Sequence, residues 1–464
     1  MGTHKFKKLH YFLGTLLIGY ILLQPFLDVS AFLGLPVSTI IRAAIIPIGI
    51  LFILTMPHTK WKTAAVFYIA FLAIVMAGHL LNNIIVKDPI SLGAEINHII
   101  KTIYFPILLI VYAMLFYSMT ALWDFRTKLV KYIVINTAVT AVIIVAAHIT
   151  GTAKRSYHNV LRDGHTGWFF SGNELSVILA VGFCFVMLSF LVIRANRLKW
   201  LMLPGMLLII WSMLNVGTKV ALGAAVLTLL LGIVVSFLEK RKTGYSFHFT
   251  GIVLLTIITA AVTPFTPVIT NMGVPLVGNE PSEEQTEQEA ADNESVEVEE
   301  EEAEGQEAEA EPDESTESGA SQSFLFSGRE AVLDQTIEQY KEAPISQKIL
   351  GMGRGGNYTS YSRFIEMDFI DWFFTFGIAG FSILVLPIFL LGAGTVMYIL
   401  KKRLLMRPEV LFSGLAVLLG AGSAFTAGHV LSSPGAGIYL LLALAYVFCF
   451  SAFYSTSLYK SRVK

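Results

Sequence analysis

The feature that most constrains this chain is a succession of apolar runs separated by short basic clusters. A helix crossing the roughly 30 Å hydrocarbon core of a bilayer needs about 20 such residues. Twelve runs can be read, near 9–27, 33–55, 63–83, 103–122, 130–149, 172–193, 200–216, 219–238, 249–270, 369–400, 409–428 and 436–455. Charged residues make up only 14% of the sequence, against about 25% in a soluble domain. The chain is therefore expected to be all-α, a polytopic membrane protein of about twelve transmembrane helices. The tenth run is long enough to include an interfacial piece or a tilt. Runs seven and eight lie so close that they read as two helices or as one broken helix. The start KFKK, followed by an apolar run without a small-residue cleavage site, predicts a retained first span rather than a signal peptide.

Charge sets the expected orientation. Basic clusters occur at Lys5/Lys7/Lys8, Lys60/Lys62, Arg126/Lys128/Lys131, Arg194/Arg197/Lys199, Lys240/Arg241/Lys242, Lys401/Lys402/Arg403/Arg407 and Lys460/Arg462/Lys464. With twelve spans all of them fall on one side, and they hold 21 of the 33 basic residues. By the positive-inside rule that side is cytoplasmic. Both termini are then inside, and the large loop before the tenth span is extracellular.

The net charge of −1 conceals a segregation: residues 279–318 carry 19 of the 34 acidic residues and no Lys or Arg. This Glu-rich stretch has too little apolar surface to offset the entropy of ordering it, so 271–323 reads as a solvated acidic linker. Binding cations or repelling an acidic wall polymer is a functional reading of the same stretch. The resulting layout is 1–270 for spans one to nine, the linker, an outer functional loop over 324–368, and 369–464 for spans ten to twelve. Cys184 and Cys449 sit inside spans without metal-ligand spacing and read as packing residues.

Polar chemistry collects between 324 and 380. Ser327-Gly-Arg-Glu330 has capping-box spacing, and Leu333, Ile337 and Tyr340 mark one face of a short amphipathic helix ending before Pro344, expected along the bilayer surface. Gly351-Met-Gly-Arg-Gly-Gly356 matches GxGxxG but lacks the strand–helix context of a dinucleotide site. It reads better as a flexible turn whose N–H groups and Arg354 approach an anion, or as a plain glycine-rich loop. Next come Arg363, Glu366, Asp368 and Asp371 leading into an apolar segment, where ionised groups are costly. On a helix Asp368 and Asp371 share a face and Glu366 points elsewhere; acids at a helix N-terminus are also common for dipole reasons alone.

Other polar residues are expected on the same outer face. Lys154, Arg155, His158, Arg162 and His165 precede span six, Asn173 and Glu174 open it, Gly217-Thr-Lys219 joins spans seven and eight, and His429 lies in the last outer turn. His79 and His148, near span ends, read as satisfied interfacial residues. Arg42, deep in span two, must pair or face a cavity. Cations suit a phosphate-bearing lipid, and a carboxylate suits a general base for an acceptor hydroxyl. There is no His/Cys cluster for zinc, no P-loop and no nucleophile elbow, which argues against an ATPase or serine hydrolase.

These motifs together resemble the O-antigen ligase and O-antigen polymerase superfamily of bacterial glycan-assembly proteins. The resemblance rests on Gly217-Thr218-Lys219 for a Gly-Ser/Thr-Arg element, Ser327-Gly328-Arg329 at the start of the large loop, Gly351-Met-Gly353, and the approach to Phe-Gly-Ile-Ala-Gly380. It implies a glycosyltransferase acting on sugars linked to undecaprenyl diphosphate, outside the bacterial cytoplasmic membrane. Its partners would be that lipid-linked oligosaccharide, membrane lipid, a flippase and a chain-length regulator, with no nucleic acid and no cofactor. By resemblance Arg329 and Lys219 neutralise the diphosphate, with Arg354, Arg155 and Arg162 as further cations. Ligases carry a His in a His-Asn-x-Phe/Tyr-Leu motif where this chain has Glu366-Met-Asp368-Phe-Ile. Lys219 likewise stands where the family has Arg. Both departures point towards a polymerase, with Glu366 or Asp368 as base in a metal-independent displacement; a ligase is the close alternative. From other classes, a lipid-linked sugar flippase would place ionisable residues at the bilayer midplane, and a structural or sensory protein would use the acidic loop.

Overall fold

The computed structural model describes residues 2–88, 90–119, 125–157, 162–192, 196–244, 246–273, 330–354, 365 and 367–453. Among the described residues nine long helices precede the acidic segment: α1 (Gly2–Phe32), α2 (Val37–Thr55), α3 (Lys60–Val86), α4 (Leu92–Met119), α5 (Phe125–Ile149), α6 (Gly172–Val192), α7 (Asn196–Val216), α8 (Lys219–Thr243) and α9 (Phe247–Val262). A short α10 (Pro267–Gly273) follows α9. Two antiparallel strands, β1 (Lys154–Arg155) and β2 (His165–Gly167), form a small hairpin before α6. After the acidic segment come α11 (Glu330–Glu342), α12 (Ile345–Leu350), α13 (Asp368–Lys401), α14 (Pro408–Thr426) and α15 (Pro434–Phe453). Among the described residues eleven helices are long and apolar enough to cross a membrane, and α7 contributes a shorter apolar helix, Trp200–Val216. The protein is thus a polytopic helical membrane protein. Helices dominate because hydrocarbon offers no partner to a backbone N–H or C=O.

The centre of the bundle is α6, α15 and α4. Side chains from Leu175 to Leu191 in α6 are buried all round, as are nearly all of those of α15. α6 packs on α14, α5 and α8, and α15 packs on α4, α14 and α13. A helix apolar on every side is one surrounded by others. By contrast α3 leaves Phe67, Phe71, Ile74 and Ile85 exposed, as a lipid-facing helix would.

Contacts between helix ends put Lys62, Lys240 and Lys402, described members of the basic clusters, at one end of the bundle. Lys62 Nζ donates to the carbonyls of Leu54 and Met56 at the end of α2, and His10 stacks on Phe52. Lys402 Nζ donates to Ser451 and Ala452 at the end of α15, and Glu239 meets His248 where α8 passes to α9. The described motif-bearing residues, 217–219, 351–354 and Asp368, lie at the opposite end.

Four local expectations are resolved or corrected. Spans seven and eight are separate helices, joined through Gly217 at φ 79°, and both pack on α6. α4 begins at Leu92, well before the apolar run at 103, because its polar first turns face protein rather than lipid. α9 stops at Val262 and passes through a single 3-10 turn, Thr263–Phe265, where Pro264 and Pro267 end the regular ladder. The tenth span contains an extra piece rather than a tilt alone. α13 has 34 residues, about 51 Å of helix, and is broken at Gly377 (φ 64°, ψ −173°).

Only glycine adopts that conformation readily, and a Cβ there would come within 2.5 Å of Gly351 N. Gly377→Ala is expected to cost about 1–3 kcal/mol from backbone strain alone, with the collision added. It should lower the melting temperature of the purified protein in detergent. Gly392→Ala, where a Cβ meets nothing within 4 Å, serves as the control and should leave melting unchanged; equal melting of the two variants would count against a structural break.

Candidate active site

Three groups of polar residues meet at the end of the bundle opposite the basic clusters. The first is built around Asp368, the opening residue of α13, only 4% exposed. Its Oδ1 accepts from the N–H of His429 (3.1 Å) and the hydroxyl of Ser432 (2.9 Å). Its Oδ2 accepts from the N–H groups of Val430 (2.7 Å) and Leu431 (2.8 Å). Gly428 and His429 have φ of 64° and 56°, and left-handed residues in a turn aim successive N–H groups into one concavity, a natural seat for an anion. Ser433 Oγ donates to Glu174 Oε2 at 2.7 Å. The turn between α14 and α15 therefore ties the start of α13 to the first turn of α6. His429 lies within electrostatic reach of both carboxylates, so the structure brings Asp368, Glu174 and His429 together. Asn173 adjoins them on the first turn of α6.

The second group carries exposed cations. The Thr218 hydroxyl caps α8 by accepting from Ala221 N–H at 3.2 Å and shares a 2.6 Å hydrogen bond with Ser176 of α6. Lys219 follows it, exposed, and feels the charge of Arg162. Arg155 donates to the carbonyl of Arg162 at 2.9 Å, and the Arg162 guanidinium lies 5.5 Å from the centre of the Tyr157 ring. The Tyr157 hydroxyl donates to Gly217 O at 3.2 Å; burial pushes this phenol above its ordinary range, so it stays a donor. Asn271 of α10 braces the same point, donating to Asp163 O (2.6 Å) and Gly217 O (3.0 Å) and accepting from Asp163 N–H (2.8 Å). Lys219, Arg155 and Arg162 thus form a cationic patch beside the N-terminus of α6.

The third group surrounds the glycine turn. Arg354 N–H donates to both oxygens of Glu95, at 3.0 and 3.1 Å, and Lys87 Nζ donates to Glu95 Oε1 at 2.6 Å. The break in α13 leaves the carbonyls of Phe374 and Thr375 without helical donors, and Met352 N–H (3.1 Å) and Gly353 N–H (2.9 Å) take them up. Gly351 N–H goes to Gln347 O. This corrects the expectation of N–H groups open to an anion: all four from Gly351 to Arg354 are spent within the protein. The turn is a clamped element, and Arg354 offers its side chain only. That guanidinium acts electrostatically on Asp371 and His98. Asp371 Oδ2 stands 3.9 Å from His98 Nε2, and its Oδ1 receives a 3.4 Å contact from Thr375.

Arg329, Glu366 and His158 lie outside the described residues. The described part of α11 runs from Glu330, and the expected cap at Ser327 also falls outside the described residues. Tyr340 of α11 packs against Phe373 and Phe374, docking that helix on the first piece of α13. Arg42 pairs with Asp28, and a Cβ on Gly435 of α15 would come within 2.8 Å of Asp28 Oδ1, so the pair abuts the central bundle. His79 donates from Nδ1 to Leu350 O at 2.6 Å, while its Nε2 has no hydrogen-bond partner among the described residues and stands 3.9 Å from Glu95 Oε2; the residue is buried, not interfacial as expected. The two cysteines are buried.

Residues not singled out in the sequence are Lys87, Glu95 and His98. Their signal was spacing: His79, Asn83 and Lys87 recur every four residues, and Glu95 and His98 stand three apart, each set on one helical face.

The sequence model of the family described as "O-antigen ligase like membrane protein" matches residues 10–450. None of the curated proteins matches the chain. A match over nearly the whole of a bundle with this architecture is decisive, and the chain belongs to the O-antigen ligase-like membrane proteins, a family of membrane glycan assembly and transfer.

Proposed function

We propose that this protein polymerises a cell-surface polysaccharide by transferring undecaprenyl-diphosphate-linked sugar units at the outer face of a bacterial cytoplasmic membrane. The observation that carries the reading is the convergence of exposed cations and a set of carboxylates around the N-terminus of α6, at the end away from the basic clusters. Net-positive loops favour the cytoplasm, which puts the convergence outside.

In the proposed reaction an acceptor hydroxyl oxygen attacks the anomeric carbon of the donor sugar. The bond from that carbon to the phosphate oxygen breaks, and the lipid diphosphate leaves with the bonding pair. A carboxylate takes the hydroxyl proton. Lys219, Arg329 and Arg354 stabilise the charge gathering on the departing diphosphate, with Arg155 and Arg162 drawing the anionic donor to the patch. Glu366 occupies the family's His position and is the first candidate for base. Asp368 has four donors already and serves the site as an anchor; Asp371, on the same helical face, retains acceptor capacity for a hydroxyl. The likeness of the family to O-antigen ligases favours a second reading, a ligase that moves a finished glycan to a lipid, wall or protein acceptor.

Purified protein in proteoliposomes, given undecaprenyl-diphosphate-linked repeat units extracted from the producing cells, should lengthen them. Lys219→Ala should slow elongation about 10²-fold, the cost of losing one donor to a developing anion. Lys219→Arg should keep the activity, since a guanidinium binds phosphate oxygens bidentately. Elongation by Lys219→Ala at the unsubstituted rate would remove Lys219 from the leaving-group site.

A further inference from the structure

We propose that the buried Glu95–Lys87 pair is a positioning device for Arg354, holding the glycine turn so that the guanidinium meets the substrate diphosphate; this rests on the transferase reading above. The side chains of Glu95 and Lys87 are 4% and 8% exposed. Taking such a pair out of water is costly unless good geometry and further hydrogen bonds offset it. Here those hydrogen bonds go to one short stretch of backbone. Glu95 accepts from Arg354 N–H with both oxygens, and Lys87 Nζ, besides binding Glu95, donates to Arg354 O at 3.3 Å. One residue therefore has its N–H gripped by the anion and its carbonyl by the cation of the same pair.

The turn before it is held from the same helix faces. Asn83 Nδ2 donates to Gly351 O at 3.2 Å and His79 Nδ1 to Leu350 O. A Cβ on Gly353 would stand 2.4 Å from Glu95 Oε1 and 2.6 Å from Lys87 Nζ, so the fit closes only over glycine. α3, α4 and the break in α13 thus fix the backbone of residues 350–354. The Arg354 side chain leaves that backbone within electrostatic reach of Asp371 and His98. Glu95 and Lys87 touch the turn and not the substrate; their effect on transfer runs through Arg354.

That dependence is testable with a double-mutant cycle on donor elongation in proteoliposomes, using the lipid-linked repeat unit as donor. Glu95→Gln keeps the shape of the side chain and removes the charge that binds Lys87 and the Arg354 N–H. In the presence of Arg354 it should lower kcat/KM about ten- to a hundredfold, as small misplacements of a binding group do. In an Arg354→Ala background it should change kcat/KM less than about twofold, because interacting residues are not additive. Equal losses in both backgrounds would overturn the proposal. Amide hydrogen exchange in nanodiscs reads the clamp without activity: residues 353 and 354 should be protected in the unsubstituted protein and exchange faster in Glu95→Gln. Protection that survives Glu95→Gln overturns the clamp whatever the kinetics. Absence of elongation by the unsubstituted protein, with protection intact, overturns the transferase reading and the assignment of Arg354 with it.

Discussion

Glu366→Gln is expected to abolish visible polymer while the protein remains inserted in the membrane at its normal level. Gln has the size of Glu but cannot take up the acceptor proton at neutral pH, and loss of a general base slows transfer about 10²–10⁴-fold. In a polymerase the effect compounds, because every added unit passes through the slowed step. A modest loss per transfer therefore removes the long products first. Full-length polymer from Glu366→Gln would exclude it as the base. Asp371→Asn would then be the variant expected to lose polymer, as the remaining carboxylate on that helix with an unsaturated oxygen.

Asp368→Ala is expected to damage the fold rather than the chemistry alone. The substitution strips the partner from the N–H groups of His429, Val430 and Leu431 and from the Ser432 hydroxyl. Each buried donor left unpaired costs about 1–3 kcal/mol, whereas an ordinary substitution costs about 1 kcal/mol. Asp368→Asn should do nearly as badly, since an amide NH2 would face donors on one side. Ser432→Ala, which removes one of four donors and leaves the carboxylate in place, should be mild. Melting of the three variants in detergent checks the order. Unchanged melting for Asp368→Ala, together with lost transfer, would return Asp368 to a chemical role.

The architecture was legible because two strong signals agree. Apolar runs locate spans, and Lys62, Lys128, Lys240 and Lys402 mark the ends that gather on one side. Irregular backbone was less legible. The break at Gly377 lies inside an apolar run, where composition does not change and only the partner backbone at Gly351 requires the turn. The start of α4 was hidden for the opposite reason. Glu95 and His98 read as loop on hydropathy, yet they form helix because a protein surface, not lipid, receives them.

The site was legible as a region and less so as individual roles. Lys219, Arg155 and Arg162 were expected near one another, and the hairpin, Gly217 and α10 assemble them. Asp368 stood out as an acid at a helix start, but its neighbours in space come from 429–432, and no local pattern announces that a distant turn will surround a carboxylate. Arg354 was singled out with its glycines, while the Glu95 and Lys87 that hold it were passed over. Their four- and three-residue spacings are weak evidence on any one helix and gain meaning only when two helices face the same turn.

The most direct test of the central claim is the pool of lipid-linked sugars in cells lacking this protein, resolved on a gel beside the parent strain. A polymerase predicts single repeat units accumulating on the lipid diphosphate and no long chains. Long chains that remain attached to the lipid, with none transferred to the cell surface, would contradict polymerisation and identify the protein as a ligase.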